Sequence, residues 1–350
     1  MAGAIAQAVK AKLQPQEQRR LSAAAAIDPA VYEAYLKGRF YWASRTAEGK
    51  LKAERFFQEA IAKDPKYAPA WSGLSDTYRQ FGIRRLPPRE YMPRAEAAAR
   101  QALALDDTLA EAHASLAGVL YRYEWDWEGA EREFRLSLEL DPSSAEAHRA
   151  YAIYLMAVRR NPEGLVEVQR AWELSPLSPV INVELGLALA RNRRYADAVV
   201  RLERTLEFEP SFWRAYATLA MTYEAQGDWA RAVPLLEKAN SLGNPDAMPW
   251  LGYAYGVAGR RREALALVSQ METLARTQYV SPQNVAFVHL GLGDEDRALA
   301  GLEKAYEEHA FEVLGFAGDI FDRLRDDPRF QDLLRRMKMT AALARPGATR

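Results

Sequence analysis

The chain repeats itself. Ala145, Pro179, Trp213 and Ala247 stand 34 residues apart in succession, and similar residue types recur around each of them. Small residues fall at Gly164, Ala198, Ala232 and Ala264. A larger apolar residue follows each four positions on, at Val168, Leu202, Leu236 and Val268. Pro176 and Pro210 close two of the units. A fixed period of this size marks a stacked array of identical supersecondary units. Here the unit reads as two antiparallel helices. Large residues fill the space between them, small ones let them approach, and a proline after the second helix stops it. One unit cannot bury its apolar face alone, so its neighbours must stack. The expected fold is therefore all-α and elongated, and suited to presenting a surface more than to closing a catalytic pocket.

Residues 1–27 read as a separate N-terminal helix and linker, with Ile5, Val9 and Leu13 on one face. Repeats then run over 28–306. The first opens near Val31. The second is marked by Trp71, Leu74, Ser75 and Tyr78, and the proline-bearing insertion from Pro87 to Pro93 predicts a protruding loop in it. The third carries His113 and Leu116, the fourth His148 and Tyr151, the fifth Leu185 and Gly186, the sixth Tyr216 and Leu219, and the seventh Trp250 and Tyr253. A degraded eighth starts near Tyr279. The segment 307–340, with Phe311, Leu314, Phe316, Phe321 and Leu324, reads as a helical cap. In it Asp327 should act as N-cap and Pro328 as first helical residue. Residues 341–350 form a tail.

Lys plus Arg and Asp plus Glu both total 47, so no global field draws the chain to nucleic acid or anionic membrane. Absence of cysteine excludes disulfides and thiolate chemistry and leaves the compartment open between cytoplasm, the expectation, and periplasm. No apolar run is long enough to span a bilayer.

The Trp71-x2-Leu74-Ser75-x2-Tyr78 segment and the second helices of form Ala-x3-large-x2-Ala-x4-Pro resemble tetratricopeptide repeats over residues 28–306. The resemblance implies a right-handed superhelical solenoid of about eight helix-turn-helix repeats with a C-terminal capping helix. The flanks Asp28–Arg39, with Tyr41-Trp42 and Arg45-Thr46, and Phe321–Gln331 are similar to the C-terminal repeat region of large bacterial signalling proteins. There the repeats follow winged-helix regulators, Ser/Thr kinases or nucleotide cyclases, often with a TolB-like domain between. None of those effector domains is in this sequence, so their activities do not carry over.

In that family the second, fifth, ninth and twelfth positions of each first helix face a concave groove. Carried onto this chain they give Tyr35, Arg39, Asp76, Arg79 and Tyr121 early, Arg149, Ile153, Met156, Val183 and Leu187 in the middle, and Met221, Leu251, Tyr255 and Phe287 late. The lining is polar first and apolar later, which suits a peptide or protein segment. The Lys/Asn pairs by which family members hold acidic chaperone C-termini are missing, since those positions carry Tyr35/Arg39, Ser72/Asp76, Ala114/Gly118 and Arg149/Ile153. The turns inside the repeats carry Arg159-Arg160, Arg193-Arg194 and Arg261-Arg262, with Arg84-Arg85 nearby; stacked, they predict an anion-binding ridge. His113 and His148 share one repeat position and read as packing residues without carboxylate partners, not as a metal site. No catalytic motif, phosphate loop or cofactor signature occurs. The expected function is a non-enzymatic scaffold for protein or peptide partners in bacterial signalling, with no cofactor, no metal, no direct nucleic-acid binding and no membrane insertion. A ligand-sensing regulatory module is the alternative, and an enzyme a distant third.

Overall fold

A computed structural model of the chain describes residues 27–44, 46–84, 86–310 and 319–339. The N-terminal helix expected over 1–27, Arg85, Phe311, Leu314, Phe316 and the tail lie outside the described residues. Among those described there are seventeen α-helices. The first sixteen pair antiparallel into eight repeats: α1 (Pro29–Ala43) with α2 (Ala47–Lys63), α3 (Ala68–Arg84) with α4 (Pro88–Leu105), α5 (Ala110–Val119) with α6 (Trp127–Leu140), and α7 (Ala145–Ala157) with α8 (Asn161–Leu174). They continue as α9 (Pro179–Arg191) with α10 (Tyr195–Phe208), α11 (Trp213–Glu224) with α12 (Trp229–Ser241), α13 (Met248–Val257) with α14 (Arg261–Leu274), and α15 (Pro282–Gly291) with α16 (Glu295–Glu307). A 3₁₀ turn at Asp319–Leu324 and α17 (Pro328–Arg336) end the array. The carboxylate of Asp327 accepts from the Arg329 amide at 2.8 Å, and Pro328 is the first helical residue, as the sequence predicts.

The small residues of the pattern mark close approaches. A Cβ added to Gly38 or Gly73, on the first helices of the first two repeats, would come within 2.6 or 2.5 Å of the ring of Phe57, which is fully buried between them. Position four of the first helix has a second constant role. Trp71, His113, His148, Asn182 and Tyr216 each donate a side-chain hydrogen bond to a carbonyl six residues back, at Pro65, Asp107, Pro142, Pro176 and Pro210. Four kinds of side chain thus fasten the same inter-repeat loop, because that loop leaves a carbonyl beyond the end of each second helix.

The turn inside each repeat is equally regular. Arg159, Arg193, Gly227, Gly259 and Gly293 all take a left-handed backbone (φ 59 to 76°), and the following amide reaches five residues back, as in Arg160 N to Leu155 O and Arg194 N to Leu189 O. This closes the helix end in the usual left-handed way. The third repeat departs from it. His113 to Ala130 is one residue longer than His148 to Gly164. The extra residue is taken up as a π turn over Leu120–Glu124, and the closing bond becomes Asp126 N to Leu120 O.

The insertion in the second repeat is not a protruding loop. It lengthens both helices, to 17 residues in α3 and 18 in α4, with Pro88 opening α4 and Pro93 inside it. Pro88 forfeits nothing, since the first amides of a helix have no intrahelical acceptor, and Pro93 forfeits a single bond near that end.

The array also closes on itself. Trp125, which follows the π turn with φ 52°, stacks on Tyr306 and His309 with centroids 4.8 and 4.6 Å apart. The His309 ring Nδ1 donates to the Tyr123 carbonyl at 3.0 Å, and the Trp127 indole donates to the Met337 carbonyl at 2.9 Å. Arg159 pairs with Asp322 at 3.4 Å. One continuous apolar cluster joins Leu116, Phe134 and Tyr154 to Phe287, Phe321 and Phe330. The cap therefore packs on the last repeat and also on the third and fourth.

Candidate functional site

Closure turns the concave face into a central cavity of about 1320 Å³, walled by residues from Trp42 in the first repeat to Ile320 in the cap. Small-molecule pockets run to about 300–1,000 Å³, so this space is larger than most of them. Six of the fourteen positions taken from the groove register line it: Arg79, Arg149, Ile153, Leu187, Met221 and Phe287. The others do not. Tyr121, Met156, Val183 and Leu251 are buried between helices, because the tight winding presses neighbouring first helices together and turns these positions into core. Tyr121 sits 5.6 Å from Tyr154, ring to ring, and Met156 lies beneath Gly164. Tyr35 packs edge-on against Tyr67 at 5.4 Å, and Arg39 lies over Trp42 at 5.3 Å. Asp76 is buried and accepts from Ser115 and Arg79, both at 3.0 Å. Tyr255 belongs to another face, where its hydroxyl donates to Glu237 at 2.9 Å under the Arg260 guanidinium.

The wall has an internal electrostatic order that the groove register misses. Glu146 accepts from Arg149 Nε at 2.8 Å, and Arg149 lies 3.9 Å from Glu184 on the next first helix. Glu184 in turn accepts from Arg214 at 2.8 Å on the helix after that. Burial works against the Glu146 charge, yet the Arg149, Arg79 and Arg39 guanidiniums hold its carboxyl below the usual range. Glu184 is 1% exposed, and its second oxygen, Oε2, is buried with no protein donor. Lys50, Arg79, Arg122, Arg149, Arg159, Arg191, Arg193 and Arg214 line the cavity against Glu146, Glu184, Glu224 and Asp246. Eight cations face four carboxylates in a chain whose total charge is zero. Such focusing raises the local concentration of anionic groups.

Toward the last repeats the wall becomes aromatic. Trp213, Trp229, Trp250, Tyr253 and Phe287 line it, with Trp229 6.3 Å from Tyr253 and Trp250 5.2 Å from Phe287. Among them stands Glu224, the last residue of α11. Burial raises its carboxyl to about 7. The same position three residues before the left-handed turn holds Met156, Ala190, Gly256 and Leu290 in four other repeats. A carboxylate there breaks the pattern, and that break was the available sequence signal.

The arginine ridge does not form. Arg160 is buried and held by Glu163 and Glu131, each at 2.6 Å. Arg159 faces the cavity and the cap. Arg193 and Arg194 are exposed, Arg194 pairing with Asp197 at 2.7 Å. Arg261 and Arg262 are out of register, since the residues equivalent to Arg159-Arg160 are Gly259-Arg260; they occupy the first turn of α14 instead. His113 and His148 do have carboxylate partners: Glu133 and Glu167, each at 2.6 Å from Nδ1. Both ring nitrogens then face oxygen atoms, a carboxylate and a carbonyl, an arrangement that favours the doubly protonated ring. Despite the opposing effect of burial, the hydrogen bond to each glutamate raises the histidine above its ordinary value. No group of three or more metal-ligating side chains occurs among the described residues, and no described helix is long and apolar enough to cross a membrane.

No model of a known protein family matches the chain. Superkiller protein 3 of Schizosaccharomyces pombe is 25% identical over 285 residues, which is 79% of this chain and 18% of that protein. The chain thus spans less than a fifth of the length of this curated relative. Among solved structures, yeast Tom70 superposes with a TM-score of 0.55 at 15% identity, covering 89% of this chain and 69% of Tom70. A monomeric mutant of IFIT1 solved with Gppp-AAAA gives 0.57 at 15% identity, covering 84% and 68%. At this identity the likeness is one of fold: the chain is a tetratricopeptide-type helical solenoid.

Proposed function

We propose that the chain is a non-enzymatic binding module that holds an extended peptide segment of a partner protein in its central cavity. The observation that carries this is the central cavity of about 1320 Å³ with arginines along one arc and aromatic rings along the other. An extended strand advances about 3.3 Å per residue and offers alternating side chains and a continuous row of amides. The arginine arc suits an acidic stretch of the segment. The four carboxylates in the wall, two of them beside Arg149, oppose a continuous phosphate backbone, so a peptide is favoured over a nucleic acid. As part of the same proposal, such a module acts beside a signalling effector, a reading supported by the resemblance of the flanks Asp28–Arg39 and Phe321–Gln331 to repeat regions of bacterial signalling proteins.

Capture from an array of nine-residue peptides tests it. The chain should retain a subset rich in acidic residues, and Leu187→Glu in the wall should abolish retention while Val200→Glu on the exposed outer face leaves it intact. Retention unaffected by Leu187→Glu, or displacement of every retained peptide by a single-stranded RNA oligonucleotide, overturns the proposal. A small metabolite giving a large thermal shift while no peptide is retained would favour the sensing alternative.

A further inference from the structure

The aromatic end of the cavity holds a carboxylate that the fold does not need. Glu224 lies at the C-terminal end of α11, where the helix dipole disfavours a negative charge. Its side chain makes no hydrogen bond or ion pair among the described residues, although carboxylates elsewhere in the wall pair with arginine. The charged or titratable neighbour whose field it shares is Tyr253, whose hydroxyl is itself pushed up to about 12 by burial and by Glu224. Arg323 also acts on Tyr253, but its guanidinium is committed to the Leu290 carbonyl at 3.1 Å and to Glu295 at 3.3 Å. Tyr253 shares the field of this acid, Trp229 lies 6.3 Å from Tyr253 ring to ring, and Trp250 lines the same cavity one helical turn before Tyr253.

A partly buried carboxylate without a partner costs stability, and a fold with nothing to gain would carry an apolar residue there, as Met156 and Leu290 do in other repeats. Aromatic faces next to a carboxylate form a receptor for a cation with an apolar stem. Resting on the peptide reading of the cavity, we propose that this corner takes a lysine or arginine side chain of the bound segment. Its charged head would lie on Glu224 and its methylene stem against Trp229, Trp250 and Tyr253. The cavity then reads its occupant with a fixed polarity: acidic residues toward the arginine arc, one basic residue toward the last repeats.

Two measurements on the full chain test this. In the peptide array, retained sequences should carry Lys or Arg at one fixed position, and Glu224→Gln should lower retention of those peptides about tenfold relative to their neutral substitutes. Glu207→Gln, the same change on the outer surface, should not. Peptides retained with no basic preference, or with a preference that Glu224→Gln leaves intact, overturn the cation corner while the peptide cavity stands. If no peptide is retained, the peptide reading itself fails, and titration of tryptophan fluorescence with N-acetyl-arginine amide against its neutral isostere N-acetyl-citrulline amide decides the corner alone. A saturable change at least tenfold tighter for the arginine compound, lost in Glu224→Gln, supports the corner as a cation site. Equal responses to the two compounds overturn it.

Discussion

The indole N–H of Trp127 donates to the main-chain carbonyl of Met337, 2.9 Å away and 210 residues further along the chain. Both groups are buried, Trp127 at the start of α6 and Met337 just past the end of α17. The bond is one stitch of the seam that closes the solenoid. Trp127→Phe removes the donor together with part of the buried indole. A buried carbonyl left without its partner costs about 1–3 kcal/mol, so the variant should melt lower. The loss should be local. Amide exchange should quicken in α17 and the Asp319–Leu324 turn and stay unchanged in α1 to α4. Uniform exchange throughout would mean that the seam does not hold the cap.

Much of the fold is legible from the period alone. Eight helix pairs, their order and the cap follow from where small residues, large residues and prolines recur. The seam does not. Whether Trp125 meets Tyr306 depends on the pitch accumulated over several repeats, and no local pattern encodes that. The one-residue excess between His113 and Ala130 was visible, but its consequence, a π turn that ends with Trp125 in a left-handed conformation, needed coordinates. The groove register failed in part for the same reason. It assumes an open superhelix, and tighter winding buries Met156, Val183 and Leu251 between first helices. Glu224 was readable as a break in the pattern; its solitude among aromatic rings was not.

His148 should titrate above an ordinary histidine. Its Nδ1 meets Glu167 at 2.6 Å and its Nε2 meets the Pro142 carbonyl at 3.1 Å, both acceptors. The raised value follows from the Glu167 hydrogen bond overcoming the effect of burial. The associated stability is fully present below the unfolded value of about 6.5 and is lost as pH rises through the higher folded value. Asparagine fills the equivalent position at Asn182 and donates to the Pro176 carbonyl at 2.7 Å. His148→Asn should therefore keep the loop fastened and flatten part of the decline in melting temperature as pH rises above about 6.5. An unaltered slope in the variant would sink this account, as would an NMR titration midpoint below that of free histidine.

Arg160 and Arg194 occupy the same place, one repeat apart, and should respond oppositely to truncation. Arg160 is buried against Glu131 and Glu163. Removing its guanidinium leaves the Glu131 carboxylate, which is 12% exposed, with only the exposed Arg135 at 2.8 Å and the Tyr151 hydroxyl at 3.3 Å, so Arg160→Met should cost about 1.5–3 kcal/mol. Arg194, half exposed with its partner Asp197, should lose under about 1 kcal/mol on the same change. Urea denaturation of the two variants separates them. Equal losses would show that burial does not set the worth of these pairs.

Glu224 makes the folded chain sensitive to pH with a definite sign. Its carboxyl holds a proton up to about 7 in the fold because of burial, against 4.5 in the ordinary case. Between those values the folded state binds more protons than the unfolded one, so this residue's contribution to stability falls as pH rises. Tyr253, which shares its field, stays protonated up to about 12 and so does not titrate in that window. Glu224→Gln should melt above the parent at pH 8 and together with it at pH 4. Because His113 and His148 are present in both proteins, the difference between the two curves isolates Glu224. A cation bound in the corner should also be held more tightly as pH rises through about 7, since binding needs the ionised form. N-acetyl-arginine amide affinity measured from pH 5.5 to 8.5 should therefore climb and level off. A flat profile, with melting curves of parent and variant running parallel, would mean that Glu224 stays ionised in the fold and that its isolation from cations has no energetic consequence.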